Sequence, residues 1–177
     1  MVGIGAAALM VYGCASMSEK ECLTANWADQ GYRDGRNGYP LARLEDHREA
    51  CAKVGVVPNP AQYRVGRDRG VLEYCTPANA LREGRLGRSY RNACPMQLEA
   101  AFLAHHRQGY RAYEAEQRVE SLNRDMQRTQ RLLDKEKNET RRRELRKDLR
   151  NLDHRLARAR SELRNEERRL NIHGPQY

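Results

Sequence analysis

Residues 139–170 read ETRRRELRKDLRNLDHRLARARSELRNEERRL and contain neither proline nor glycine. Apolar residues recur in this stretch at steps of four, three, four, three, four and seven positions. This heptad pattern is typical of a helix that presents one continuous apolar seam to a neighbouring helix. The seam consists of Leu145, Leu149, Leu152, Leu156, Ala159, Leu163 and Leu170.

A second heptad series lies just upstream and is formed by Val119, Leu122, Met126, Thr129 and Leu133. The two series are separated by the polar stretch DKEKNET, in which Asn138 is a residue that tolerates a left-handed conformation. Two seams joined by a short polar break predict an antiparallel, coiled-coil-like helical hairpin over residues 118–177. The alternative is one continuous helix that oligomerises through the same seam.

The first half of the chain is punctuated by prolines, each followed by a stretch compatible with a helix. Proline is favoured at the first position of a helix, and glycine is favoured just after the last one. We therefore expect Gly38 and Gly55 to end helices. The predicted helices cover residues 19–36, 41–54, 60–74 and 77–91, and the prolines that begin helices are Pro40, Pro60, Pro77 and Pro95.

Glycine and aromatic residues form a weak repeat in these helices, with a further echo at residues 106–110. Each glycine inside a helix costs about 1 kcal/mol relative to alanine, so a compensating contact is needed. We expect close helix packing, with an aromatic ring of one helix over the glycines of another. The alternative is that a glycan or peptide lies against the backbone there. The motif comprises Trp27, Gly31, Gly35, Tyr63, Gly66, Gly70, Gly84, Gly87 and Tyr90.

The chain begins with an apolar segment that carries no charge between residues 2 and 13. Its length suits the hydrophobic region of a signal peptide and is too short to span a bilayer. The segment ends at Cys14, in the place of the lipid-accepting cysteine of a bacterial lipobox, and Ala15 follows instead of aspartate. These features predict a cleaved signal peptide over residues 1–13 and a lipid anchor on Cys14 in the outer membrane, with the protein facing the periplasm.

Four further cysteines remain for disulfide bonds if Cys14 carries lipid: Cys22, Cys51, Cys75 and Cys94. Three pairings are possible, and we favour the pairs of sequence neighbours, Cys22 with Cys51 and Cys75 with Cys94. A four-cysteine zinc site is the rival interpretation, but no C-x-x-C spacing is present. The sequence thus predicts an all-α fold in which a small disulfide-stapled helical domain, residues 14–117, precedes the hairpin. No metal is expected.

Charge is concentrated in the hairpin. Residues 118–170 contain 18 basic and 11 acidic side chains, which leaves +7 of the net charge of +9, and 15 of the 18 are arginines. Many opposite charges are four positions apart, as on the solvated face of an exposed helix. The alternative is a surface that binds anions through guanidinium groups. Because the export signal argues against nucleic acid, the anion would be a lipopolysaccharide phosphate, an anionic phospholipid or a peptidoglycan carboxylate, all of them components of the cell envelope.

Catalytic motifs are missing from the sequence. His47 and Cys51 share a helical face, but the cysteine is expected to be oxidised. His105 and His106 are adjacent and point in different directions, and Asp29 and Asp34 are too isolated to form a carboxylate pair. We expect neither enzymatic activity nor a cofactor.

The combination of these motifs resembles an uncharacterised family of Gram-negative lipoproteins, domain of unknown function 2799. The resemblance covers roughly residues 20–115 and implies a secreted, lipid-anchored, non-enzymatic protein. Its residues include Cys22, Trp27, Gly31-Tyr32-x-Asp34-Gly35, His47-x-x-Ala50-Cys51, Tyr63-x-x-Gly66-x-x-x-Gly70, Tyr74-Cys75-Thr76-Pro77, Gly84-x-x-Gly87-x-x-Tyr90 and Cys94-Pro95.

The sequence therefore predicts a structural or adaptor lipoprotein of the outer membrane that binds an envelope protein through the hairpin. The alternative is a lipoprotein that binds peptidoglycan or lipopolysaccharide through the arginine-rich hairpin. The hairpin is also a possible site of oligomerisation.

Overall fold

The computed structural model describes residues 15–173, with side chains placed through residue 170. This part of the chain forms seven helices and contains no strand, so the predicted all-α fold class is confirmed. The helices are α1 (Glu19–Leu23), α2 (Trp27–Arg36), α3 (Arg43–Ala52), α4 (Pro60–Tyr74), α5 (Pro77–Arg85), α6 (Met96–Lys135) and α7 (Glu139–His173).

Helices α4 and α5 begin where the sequence predicts. Pro60 and Pro77 are their first residues, where a missing N–H group removes no helical hydrogen bond. The Asn59 side chain accepts a hydrogen bond from the Gln62 backbone N–H and caps α4. Thr76 caps α5 in the same way.

One long helix was expected over residues 19–36, and this prediction is wrong. The chain breaks after Leu23, and Asn26 caps a new helix by accepting hydrogen bonds from the backbone N–H groups of Ala28 and Asp29. An asparagine side chain that satisfies these N–H groups competes with continuation of the preceding helix. The break allows α1 and α2 to point in different directions.

Two other helix limits also differ from expectation. Pro40 does not begin α3, because a turn occupies residues 41–42 and the helix starts at Arg43. The helix expected over residues 77–91 ends at Arg85, close to Gly87, whose φ of +69° lies in the left-handed region. Gly38 and Gly55 also have positive φ and follow helix ends, as predicted.

Helices α2 and α4 run in parallel with their backbones in direct contact. A Cβ atom on Gly31 would overlap the carbonyl group of Tyr63, and one on Gly35 would overlap that of Arg67. A step of four residues along α2, from Gly31 to Gly35, corresponds to a step of four residues in the same direction along α4, from Tyr63 to Arg67. The two helices are therefore parallel. The reciprocal glycines of α4, Gly66 and Gly70, abut the backbone of α2 in the same manner.

Helices α5 and α6 repeat this unit. Gly84 of α5 abuts the His106 carbonyl group, and Gly109 of α6 abuts the Leu81 carbonyl group. The weak sequence repeat thus corresponds to two copies of one packing arrangement. Aromatic rings cover the glycines that follow the helices and not those within them: Tyr74 lies against Gly38, and Tyr113 lies against Gly87.

Two disulfide bonds support these units, with the pairing favoured from the sequence: Cys22 with Cys51 and Cys75 with Cys94. The first disulfide lies in a core that also contains Met17, Trp27 and Tyr63. The second disulfide joins the end of α4 to the segment just before α6. It lies beside a core in which Phe102 stacks on Tyr74 and contacts Tyr90.

Helices α6 and α7 form the predicted antiparallel hairpin, so the alternative of one continuous helix is wrong. Leu122, Leu145, Leu156 and Ala159 are the buried residues of the seam, and all but Leu145 form one cluster. Asn138 does not adopt the left-handed conformation; its side chain instead accepts a hydrogen bond from the Arg141 backbone N–H and caps α7. Helix α6 runs without a break through residues 117–118, where the sequence analysis placed a domain boundary.

Candidate functional site

A buried polar cluster lies between α2, α3 and α4. His47 Nε2 is 2.6 Å from Asp34 Oδ2, and the Tyr63 hydroxyl group donates to the same oxygen at 2.7 Å. Gln30 donates to the other carboxylate oxygen at 3.2 Å. His47 and Tyr63 have no exposed surface, and Asp34 is 6% exposed. A carboxylate in this environment is stabilised only because each of its oxygens accepts hydrogen bonds.

These contacts determine the ionisation of the cluster. Burial by itself raises the pKa of Asp34, but the hydrogen bonds from His47 and Tyr63 outweigh it and hold this pKa below its ordinary value. Burial and the hydrogen bond to Asp34 both raise the pKa of Tyr63. At neutral pH the cluster therefore contains an ionised carboxylate and a protonated phenol, and the carboxylate accepts from His47 Nε2–H.

The other imidazole nitrogen of His47 contacts Ser16, near the beginning of the described residues. His47 Nδ1 lies 2.8 Å from Ser16 Oγ. Hydroxyl, imidazole and carboxylate follow one another here as they do in an activated serine. Ser16 also lines a shallow hollow together with two basic side chains, Arg43 and Lys53, and two acidic ones, Asp46 and Glu49. The contact with His47 holds Ser16 against α3.

This cluster was not predicted. In the sequence Asp34 stands as an isolated carboxylate, and His47 shares a helical face with Cys51, which the structure shows bonded to Cys22. One signal was available: Asp34 lies three residues after Gly31 and next to Gly35, on the face that packs against α4. A charged residue on such a closely packed face needs buried partners.

The other predicted site residues occupy structural positions. Trp27 lies in the core around the first disulfide, and the Tyr90 hydroxyl group donates to Glu99 and accepts from the Cys94 backbone N–H. All helical glycines of the motif are covered by the backbone of a neighbouring helix, which leaves no room for a glycan or peptide. The predicted signal peptide, residues 1–13, and Cys14 lie outside the described residues.

His106, which lies outside the Asp34 cluster, contacts a backbone carbonyl group. His106 Nε2 lies 2.7 Å from the Arg88 carbonyl oxygen. This contact is equivalent, in the second copy of the packing unit, to the hydrogen bond that Arg67 donates to the Tyr39 carbonyl oxygen. Arg67 also donates to the Ala93 carbonyl oxygen at 2.8 Å and so links the two units. His106 and Arg67 thus satisfy backbone groups of the loops that follow α5 and α2.

The exposed surface has two chemically distinct features. The first is an apolar groove of about 500 Å³ between α3 and the start of α4, with arginines at its rim. Val57, which lines it, is 78% exposed. An exposed apolar surface of this kind suits contact with another protein. The groove is lined chiefly by Leu41, Leu44, Val57, Pro58, Pro60, Arg48 and Arg64.

The second feature is the charged surface of α7. Three of its glutamates contact other helices: Glu162 pairs with Arg118 of α6 at 2.7 Å, Glu166 with Arg111 at 3.4 Å, and Glu167 with Arg85 of α5 at 3.8 Å. Nine basic side chains of α7 form no ion pair with any described residue. They are Arg143, Arg146, Lys147, Arg150, Arg155, Arg158, Arg160, Arg164 and Arg168.

Within residues 15–173, no helix is both long enough and apolar enough to cross a membrane. The searched part of the chain also contains no group of three or more histidine, cysteine, aspartate or glutamate residues placed to hold a metal ion.

Comparisons with known proteins identify a family and no individual relative. No match was found among curated proteins, and none was found among solved structures. The family model described as "Protein of unknown function (DUF2799)" matches residues 26–111. This region begins at Asn26, the cap of α2, and includes both glycine-packed units and both cysteines of the second disulfide. It also includes His47 of α3 and Tyr63 of α4, the partners of Asp34. Residues 26–111 therefore belong to the family of domain of unknown function 2799.

Proposed function

We propose that the protein is an outer-membrane lipoprotein that acts as a structural adaptor in the cell envelope. In this proposal Cys14 carries the lipid, the disulfide-bonded helices form a rigid base, and the hairpin of α6 and α7 contacts an envelope protein. The proposal assigns no catalytic role and places the protein on the periplasmic side.

The observation that carries the proposal is a rigid projecting hairpin on a disulfide-bonded base. Beyond Arg118 and Glu162, α6 and α7 pack on each other through the leucine seam. At 1.5 Å per residue, the arm from Glu139 to Glu162 is about 35 Å long. Two disulfides are typical of proteins outside the reducing cytosol, which supports the envelope location.

Substituting Cys14→Ser should release the protein from the membrane fraction, because the thiol that would carry lipid is lost. Fractionation of the native cell, with mass spectrometry of the N-terminal peptide, measures both location and modification. The double variant Cys22→Ser/Cys51→Ser is the control, since it removes two other cysteines with the disulfide between them but keeps Cys14, and it should stay with the membrane. Retention of the Cys14→Ser protein in the membrane would contradict the anchor.

Shortening the hairpin should abolish binding of a protein partner. Removing residues 119–132 and 143–156 takes two heptads from each arm and shortens the hairpin by about 21 Å. The seam stays in register, and the contacts of Arg142 with the Leu133 and Glu136 carbonyl groups are kept. Crosslinking and pulldown at high salt should recover a partner with the full chain and not with the shortened one. Equal recovery with both would contradict an adaptor role for the hairpin.

A second candidate function is binding to peptidoglycan or lipopolysaccharide through the hairpin. The observation that favours it is the set of unpaired arginines on α7, because guanidinium groups bind carboxylate and phosphate through paired hydrogen bonds.

A further inference from the structure

One face of α7 carries basic side chains without an intervening carboxylate. At 100° per residue, the positions opposite the leucine seam recur at steps of four and three residues. They begin at Arg143 and end at Arg168, a length of about 38 Å at 1.5 Å per residue. We call this face the outer stripe; it consists of Arg143, Lys147, Arg150, His154, Arg158, Ser161, Asn165 and Arg168.

Four carboxylates of α7 are engaged toward α5 and α6, away from the centre of the outer stripe. Glu162 and Glu166 pair with arginines of α6, and Glu167 approaches Arg85. Asp148 lines a shallow groove on the α6 side together with Asp125 of that helix. The four arginines and the lysine of the outer stripe are exposed and form no ion pair with a described residue.

The edges of the outer stripe limit what can bind to it. Arg146, Asp153 and Arg164 lie along one edge, which keeps a net positive charge, and Glu144 and Glu162 lie along the other. A planar anionic surface, such as a phospholipid bilayer, would meet both edges, where these three carboxylates weaken its attraction to the stripe. A narrow strand can lie along the stripe and its basic edge alone. The straight run of charges therefore suits an extended polymer better than a membrane.

From this geometry we infer that the outer stripe binds peptidoglycan, through the carboxylates that its peptide stems carry along the strand. The inference rests on the envelope location of the proposed function, and it assigns the second candidate activity to particular residues. Guanidinium groups supply the paired donors that a carboxylate accepts. A protein partner would then use other surfaces of the hairpin.

The experiment measures cosedimentation of the purified, disulfide-bonded full chain with isolated peptidoglycan sacculi. The triple variant Arg143→Gln/Arg150→Gln/Arg158→Gln should weaken binding about tenfold, because several exposed charged contacts of modest strength are lost together. Glutamine has a helix propensity close to that of arginine, so the hairpin should keep its helicity in circular dichroism. Raising the salt from about 50 to about 500 mM should release the wild type, since these charges are exposed to screening.

A matched control changes three exposed arginines outside the hairpin: Arg36→Gln/Arg48→Gln/Arg64→Gln. This control has the same net charge as the stripe variant and should bind sacculi within about twofold of the wild type. Equal loss in both variants would mean that only total charge matters and would overturn the assignment. So would a failure to sediment at low salt, or stronger binding to anionic phospholipid vesicles, lipopolysaccharide or DNA than to sacculi.

Cosedimentation with sacculi does not depend on the lipid anchor on Cys14 or on a protein partner, because the assay contains only the purified chain and sacculi. The stripe variant should still bind a protein partner at high salt, whereas the shortened hairpin should not. Loss of both activities in the stripe variant would contradict the separation of the two surfaces.

Discussion

Gly66→Ala is expected to destabilise the contact between α2 and α4 by about 2–3 kcal/mol, although alanine is the better helix former. The new methyl group would overlap the carbonyl group of Ala28, which belongs to the backbone of the facing helix. Because no rotamer change can relieve a backbone collision, the two helices must separate. The gain of about 1 kcal/mol in helix propensity only partly offsets that cost.

Chemical denaturation followed by tryptophan fluorescence measures this loss. Trp27 is the single tryptophan of the chain and is buried at the start of α2, so its emission reports on the affected unit. The matched control is Gly55→Ala, at a position where a methyl group meets no atom within 4 Å but φ is +69°. That control should cost about 1–2 kcal/mol, from backbone conformation alone. A smaller loss for Gly66→Ala than for Gly55→Ala would contradict the close-packing interpretation.

The sequence was sufficient to predict the features that depend on local or periodic signals. The heptads specify the α6–α7 hairpin, because a 3.5-residue apolar repeat leaves few ways to bury the seam. Asn59-Pro60 and Thr76-Pro77 predict helix starts because cap and proline act within one turn. The glycine spacing also indicated close helix packing, although the contact proved to be with backbone and not with aromatic rings.

The break at Asn26 is a local cap that the sequence already contained. The other differences depend on residues that are distant in the chain. The helix after Pro77 ends early beside Gly87, and the ring that covers this glycine belongs to Tyr113 in α6. Likewise, Asp34 lies 13 residues from His47 and 29 from Tyr63, so no local pattern marks the three as a cluster. Such contacts follow from the tertiary arrangement, which short-range propensities do not encode.

Asp34→Ala is expected to lower the free energy of unfolding by about 3–5 kcal/mol, because it leaves His47 Nε2–H and the Tyr63 hydroxyl group buried without an acceptor. Tyr63→Phe removes the hydroxyl donor but leaves Asp34 Oδ2 hydrogen-bonded to His47. The free energy of unfolding should therefore fall by less, about 1 kcal/mol. Asp29→Asn is the matched control on the same helix. Its carboxylate is exposed, and the change should stay within about 0.5 kcal/mol.

Asp34→Asn separates the charge of this residue from its role as an acceptor, and pH reveals the difference. In the folded protein the pKa of Asp34 lies below its value of about 3.9 in the unfolded chain. The ionised carboxylate therefore contributes stability that is fully present above about pH 4 and is lost as the pH falls through the folded pKa.

The stability difference between wild type and Asp34→Asn should thus be constant from about pH 5 to 7 and should shrink below about pH 4. Denaturation with urea across this range, followed by Trp27 emission, measures it. Asp29→Asn, which removes an exposed carboxylate from the same helix, is measured in parallel as the control. A difference for Asp34→Asn that persists undiminished at pH 3 would mean that the carboxylate is not stabilised by His47 and Tyr63. The buried cluster would then not be what holds α3 to the α2–α4 unit.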